Sequence, residues 1–242
     1  MTRLLSVLGV VAAAGALVAT AVLASAGPST PRDVQDLLPA AASVQLPVVD
    51  TGTGPAAPSS AAASTTSRQP DPAWVTSTAT ATGVPVRALQ AYASATLRAG
   101  VELPGCRLGW TTLAGIGHVE SGHGGSTLAP DGRTSVEGPA LDGTSGYAAI
   151  SEDGAWDRAR GPLQFIASTW RQWGSDGDGD GVADVDDVDD AAWTAARYLC
   201  ASGADLTTPA GWTAAVHSYN HSDVYVRSVL AAADAYAARS RG

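Results

Sequence analysis

From residue 71 onward the apolar residues of this 242-residue chain recur at helical spacing, and no stretch of useful length alternates as a strand does. Pro85 to about Arg98 places Ala88, Leu89, Tyr92 and Ala95 on one face, and Gly100 is expected to close it. Leu108 to Glu120 follows, with Leu113, Ile116 and Gly117 among its apolar and small positions. Residues 122–160 are Gly-rich without helical period and read as a long loop lining a site. Ser168 to Trp173 starts a short helix. Asp189 or Asp190 is expected to N-cap a run to Ala201 built on Ala192, Ala195, Ala196 and Leu199. Thr208-Pro209 opens another helix, which ends near Tyr219-Asn220 with Asn220 expected in the left-handed region. Ser222 starts the last, through Val226, Val229, Leu230 and Ala233. A mostly α single domain over residues 71–242 is predicted, with no repeat at solenoid spacing.

The preceding residues have a different character. Arg3, the apolar run from Leu4 to Leu23, and Ala24-Ser25-Ala26 make residues 1–26 an export signal. The run approaches the ~20 residues of a membrane helix, so an uncleaved anchor is the alternative. Either places the remaining chain outside the cytoplasm. Residues 27–70 are rich in Pro, Ala, Ser and Thr and too poor in large apolar side chains to offset the entropy of ordering. They are expected to be a disordered linker.

The net charge is −9 and every basic residue other than histidine is arginine, so no basic stripe exists to neutralise nucleic-acid phosphates. In an exported chain the two cysteines, Cys106 and Cys200, are expected to form a disulfide, the alternative being two buried thiols. Zinc-protease His-Glu-x-x-His spacing is absent, as is a Gly-x-Ser-x-Gly elbow.

Three short stretches can carry chemistry. Glu120 falls at the C-terminal end of its helix, where the macrodipole disfavours an ionised carboxylate. Trp110, Leu113 and Val119 are apolar neighbours that would desolvate it. Both effects raise its pKa toward that of a general acid. In Gly161-Pro162-Leu163-Gln164-Phe165 an amide stands beside an aromatic, the mixture that binds sugars, with Phe165 expected to be partly core. Tyr219-Asn220-His221-Ser222 forms a helix end followed by a cap.

The run Trp110–Ser121 resembles the catalytic helix of lytic murein transglycosylases of the membrane-bound B type. Gly161–Phe165 with Ser168-Thr169-Trp170 resembles their second motif, and Ala214–Ser222 their third. The likeness covers about residues 75–235. It implies a lysozyme-like α fold that cuts the β-1,4 bond between N-acetylmuramic acid and N-acetylglucosamine in peptidoglycan. No water is used, and a 1,6-anhydro end results. By the same resemblance Glu120 is the acid that then turns base. Gln164 and Asn220 hold N-acetyl or hydroxyl groups, and Tyr219 sits beside the reacting sugar. Two further readings stand beside it: a muramidase of the same fold that admits water, and a non-catalytic peptidoglycan-binding module. Candidates for a second carboxylate are Asp131, Glu137, Asp142, Glu152 and Asp153, all in the loop region. The partner is the glycan strand, with membrane contact only through an uncleaved N-terminal segment, and a monomer is expected.

Eight aspartates fall between Asp176 and Asp190. Asp176, Asp178 and Asp180, with Gly181 next and the Val182 carbonyl after it, follow the front half of an EF-hand calcium loop. The twelfth position is Asp187, not glutamate. The family resemblance implies a longer loop closed by the acid that opens the next helix, here Asp190. A structural Ca2+ ion is therefore expected.

Overall fold

Asp71 caps the first helix from the backbone up, accepting hydrogen bonds from the amides of Ala73 and Trp74, with Pro72 at the first helical position. The helix so begun, α1 (Pro72–Thr82), was not expected from the sequence. Its Thr- and Ala-rich composition gives it almost no amphipathic contrast. The computed structural model describes residues 48–50, 68–144, 149–152 and 154–241. Residues 1–26, read as signal or anchor, and most of the linker lie outside them. Within the linker, β1 (Val48–Asp50) pairs antiparallel with β2 (Arg68–Pro70). Among the described residues no helix is long and apolar enough to cross a membrane.

The other helices are α2 (Val86–Glu102), α3 (Trp110–Ser121), α4 (Ala167–Trp173), α5 (Val188–Cys200), α6 (Pro209–Tyr219) and α7 (Asp223–Arg239). The fold is mostly α, as the apolar spacing predicted. Gly100 does not end α2. The helix continues to Glu102, where an Arg98–Glu102 pair and the Leu103 amide on the Ala99 carbonyl close the last turn. The N-cap of α5 is Asp187, which accepts from the Asp189 amide, so Asp189 and Asp190 lie inside the first turn. Asn220 is extended (φ −146°, ψ 119°) and not left-handed. Ser222 must enter α7 from an extended lead-in so that its hydroxyl can reach the Tyr225 amide.

α3 is the central element. Every residue from Trp110 to Gly117 is buried. It packs most extensively against α7, while α2 packs against α5. The α3–α7 approach depends on Gly115: a Cβ there would lie 2.8 Å from the Val229 carbonyl oxygen. Trp212 of α6 ties to the same helix by donating to the Thr112 hydroxyl at 3.0 Å. A Cys106–Cys200 disulfide (Cα–Cα 5.4 Å) joins the segment before α3 to the last residue of α5.

The Gly-rich stretch is more structured than a loop. It holds a 3-10 turn (Gly125–Thr127) and four short strands, β3 (Glu137–Ala140), β4 (Ser151–Glu152), β5 (Ala155–Trp156) and β6 (Arg158–Arg160). β3 pairs with β6 and β4 with β5, both antiparallel. Strands this short carry no readable alternation; their pairing defines them. The lobe they form joins the helices through Asp157, whose carboxylate accepts from the first amide of α4.

Candidate active site

Glu120 sits one residue before the end of α3, which Gly122 terminates in the left-handed region (φ 62°). Its Oε1 accepts a hydrogen bond from the Tyr225 hydroxyl at 2.6 Å. Burial pushes its pKa up to about 7, and the Tyr225 hydrogen bond, which favours the charged form, opposes this only in part. A carboxyl so placed carries a proton near neutrality and can also release it. The Tyr225 phenol, buried beside the carboxylate, is held far above its ordinary pKa and stays a donor.

Tyr225 was missed by the sequence reading. The available signal was its place at the third position of the last helix, three residues after the Ser222 cap. That position faces α3 only because α7 crosses it.

The end of α3 is pinned from beneath. His123 adopts φ 64° and is 4% exposed. Its Nδ1 meets the Tyr92 hydroxyl at 3.2 Å and its Nε2 the Tyr236 hydroxyl at 2.9 Å. Tyr236 in turn reaches His118 Nδ1 at 3.2 Å. Burial lowers the His123 pKa to about 4, so its ring is neutral and bridges the two phenols. This network fixes α2, the turn after Glu120, and α7 together.

The Gly161–Phe165 turn is tied to the end of α3 and to α6 by two bonds. Ser121 Oγ donates to the Pro162 carbonyl at 2.6 Å, and the Tyr219 hydroxyl donates to the Leu163 carbonyl at 2.8 Å. Gln164 is left-handed (φ 51°), and its Nε2 donates to the Gly161 carbonyl at 2.9 Å and the Val136 carbonyl at 3.5 Å. With two acceptors facing it, the amide nitrogen is fixed in that direction, and Oε1 lies against Gly138. Phe165 is 4% exposed and packs on Trp170 and Tyr219 with ring centroids 5.4 and 5.6 Å apart. A cavity of about 110 Å³ opens beside it, lined by Gln164, Phe165, Ile166, Thr169, Tyr198 and Tyr219. The Tyr219 and Tyr225 rings lie parallel, 6.5 Å apart. Asn220 is exposed at the corner between α6 and α7.

The other carboxylates of the lobe have local partners. Glu137 pairs with Arg158 at 3.3 Å, Asp131 accepts from the Arg133 amide, and Asp142 accepts from Thr144, which lowers its pKa. None of these contacts is to Glu120. The Glu152 side chain and Asp153 lie outside the described residues.

The acidic loop folds on its own carboxylates. Asp176 accepts from the Gly179 and Gly181 amides, Asp178 from Asp180, and Asp180 from Val182. Asp190, 2% exposed, accepts from Gly177 through Oδ1 and from Asp184 through Oδ2, both at 2.7 Å. Burial raises its pKa to about 6. Carboxylate oxygens of Asp176, Asp178 and Asp190 lie within 4.8 Å of one another, as do those of Asp178, Asp187 and Asp189. Asp180 stands outside both groups, 3.9 Å from Arg133, and Val182 is exposed. An all-oxygen donor set fits a hard cation, and an oxygen that accepts an N–H keeps a lone pair for a metal.

This loop and the Gln164 turn are one packed unit. Gly161 (φ 76°) presses on the Val185 carbonyl so closely that no Cβ fits. Arg160 pairs with Asp186, and the Thr134 amide donates to the Asp186 carbonyl.

No curated protein and no solved structure matches the chain. A family does match over residues 144–217, a stretch that contains Gln164, Phe165 and the acidic loop and excludes Glu120, Tyr219 and Asn220. That family is the transglycosylase SLT domain, and the match, on a mostly helical fold, supports a lysozyme-like transglycosylase acting on peptidoglycan.

Proposed function

We propose that the chain is an exported lytic transglycosylase. It would cleave the β-1,4 bond between N-acetylmuramic acid and N-acetylglucosamine in cell-wall glycan and leave 1,6-anhydro ends. The observation that carries this reading is Glu120, a carboxyl with a pKa of about 7 bonded to Tyr225, beside a turn that Ser121 and Tyr219 hold.

A single such group suffices for the chemistry. Protonated Glu120 gives its proton to the glycosidic oxygen as the C1–O bond breaks. The muramyl N-acetyl oxygen shields the cation at C1. Glu120, now a carboxylate, takes the proton of the same sugar's 6-hydroxyl as O6 bonds to C1. The acid is restored and no water is consumed. A pKa near the working pH serves both half-steps. Tyr225 steadies the carboxylate between them. Asn220, at the exposed corner, and Gln164 would hold N-acetyl or hydroxyl groups of the glycan. Phe165 and Tyr219 form the apolar wall.

Asp176, Asp178 and Asp190 would hold a calcium ion, with Asp180 and the Val182 carbonyl completing the shell after a local adjustment. When bound, the ion would offset the mutual repulsion of these carboxylates. Its role is structural, through the loop that supports Gly161.

Mass spectrometry of muropeptides after digestion tests the reading. Anhydro ends are expected. Reducing ends would make the enzyme a muramidase, and absence of products would leave a binding module.

A further inference from the structure

We propose that His118 is a positioning residue for Glu120, acting through a one-way hydrogen-bond relay that runs from the buried Tyr92 hydroxyl through His123 and Tyr236 to the exposed His118 ring. This role rests on Glu120 being the acid of the reaction proposed above. Three contacts fix which atoms meet: the Tyr92 hydroxyl with His123 Nδ1, His123 Nε2 with the Tyr236 hydroxyl, and the Tyr236 hydroxyl with His118 Nδ1. Burial keeps His123 neutral, so its ring carries one proton. Only one direction then gives every proton in the relay an acceptor. Tyr92 is 0% exposed, and among the described residues its hydroxyl has the single partner His123 Nδ1. Tyr92 therefore donates to Nδ1. The His123 proton lies on Nε2 and goes to Tyr236, and Tyr236 donates to His118 Nδ1. In the reverse direction the Tyr92 proton would be buried without an acceptor, which is costly.

The relay ends on the helix that holds Glu120. Tyr225 and Tyr236 stand three turns apart on one face of α7, at about 3.6 residues per turn. Between them α7 meets α3 at Gly115, against Val229 and Ala233. Tyr225 bonds Glu120, and Tyr236 bonds His118 and His123, so α7 grips the end of α3 at two points. The Tyr92 hydroxyl fills the space beside Gly117, where no Cβ fits, and the His123 amide closes the turn on the Gly117 carbonyl at 2.8 Å. Protonation of His118 at Nδ1 removes the acceptor that ends the relay. Tyr236 then keeps its proton without a partner, or the relay reverses and orphans the proton of Tyr92. Either outcome weakens the grip at Tyr236, and with it the placement of Glu120 against Tyr225. The titratable and charged groups around the relay are Tyr92 from α2, His118 and His123 from the end of α3, and Tyr236 from α7, with the Arg239 guanidinium 5.1 Å above the Tyr236 ring. Of these, His118 is the exposed imidazole, open to protons from solvent.

The test follows the Glu120 carboxyl carbon and the histidine ring nitrogens by NMR across pH in the native protein, His118→Gln and Tyr236→Phe. His118→Gln keeps an acceptor that does not titrate. Tyr236→Phe cuts the relay and leaves the His118 charge in place. Above the His118 titration, the native protein should show His123 with its proton on Nε2 and His118 with a bare Nδ1. The Glu120 signal should bend a second time at the midpoint of the His118 titration in the native protein and in neither variant. On soluble glycan fragments, native kcat should fall below that same pH with KM little changed, and His118→Gln should lose this acid limb. A proton on His123 Nδ1 would overturn the relay, and the native tautomers decide this even where a variant fails to fold. A second Glu120 inflection that persists in Tyr236→Phe would overturn it too, since the charge would then act through space. An identical acid limb in the native protein and His118→Gln would overturn the positioning role. A native protein inactive on glycan would instead remove the transglycosylase reading, and the tautomers and the Glu120 inflection would still decide the relay.

Discussion

The Tyr225 hydroxyl donates to Glu120 Oε1 at 2.6 Å, joining the start of the last helix to the end of the central one. The bond favours the ionised carboxylate, whereas burial favours the neutral acid, and burial prevails. Glu120 is thereby held where one group can act as acid and then as base.

Tyr225→Phe should therefore shift the pH dependence. Without the donor, the Glu120 pKa rises further above about 7. The alkaline limb of the activity profile, where Glu120 loses its proton in the free enzyme, should move to higher pH. Turnover near neutrality should also fall, because the carboxylate left after bond cleavage is less stabilised. A profile superimposable on the native one would show that the bond has no part in tuning the acid.

Stability should follow the same group. A carboxyl whose pKa is raised in the folded state binds its proton more tightly there than in the unfolded chain. Its contribution is full below the ordinary carboxylate range and is lost as pH rises through about 7. Glu120→Gln should thus be more stable than the native protein at pH 8, by about 3 kcal/mol at most, and show no such advantage at pH 4. Thermal melts at the two pH values check this.

Calcium should raise the melting temperature, by mass action on a folded-state site: about 2.7 kcal/mol at a hundredfold excess over the dissociation constant. Asp178→Ala and Asp190→Ala should blunt the rise most, since their oxygens already converge with those of Asp176. Asp180→Ala should blunt it less. A melting temperature indifferent to millimolar calcium would remove the metal from the account.

Several features of the fold and site were legible in the sequence. Glu120 before Ser121-Gly122 reads as a helix end, and Thr208-Pro209 and Ser222 read as caps, because these signals are local. Other features depend on distant partners. Tyr225 acquires its role only where α7 crosses α3, and β3 exists only through its pairing with β6. The Asp187 cap was missed because Asp187, Asp189 and Asp190 are equivalent by residue type. The backbone chooses Asp187 and turns Asp190 back into the acidic loop. Asn220 was misplaced because its left-handed preference yields to the extended entry that the Ser222 cap needs.

The Cys106–Cys200 bond closes 94 residues of chain. In the chain-entropy description a loop of this length stabilises by about 4–5 kcal/mol. Replacing both cysteines by serine should lower the melting temperature markedly, and reductant should do the same to the native protein only. Non-reducing peptide mapping that recovers two free thiols would contradict the assignment.

The most direct measurement is the rate at which purified Glu120→Gln solubilises peptidoglycan, compared with the native protein under conditions where both are folded and bind calcium alike. A positioned general acid contributes about 10²–10⁴-fold, so the variant should retain on the order of one per cent or less. Digestion at more than about a tenth of the native rate, well above that range, would show that Glu120 is not the acid.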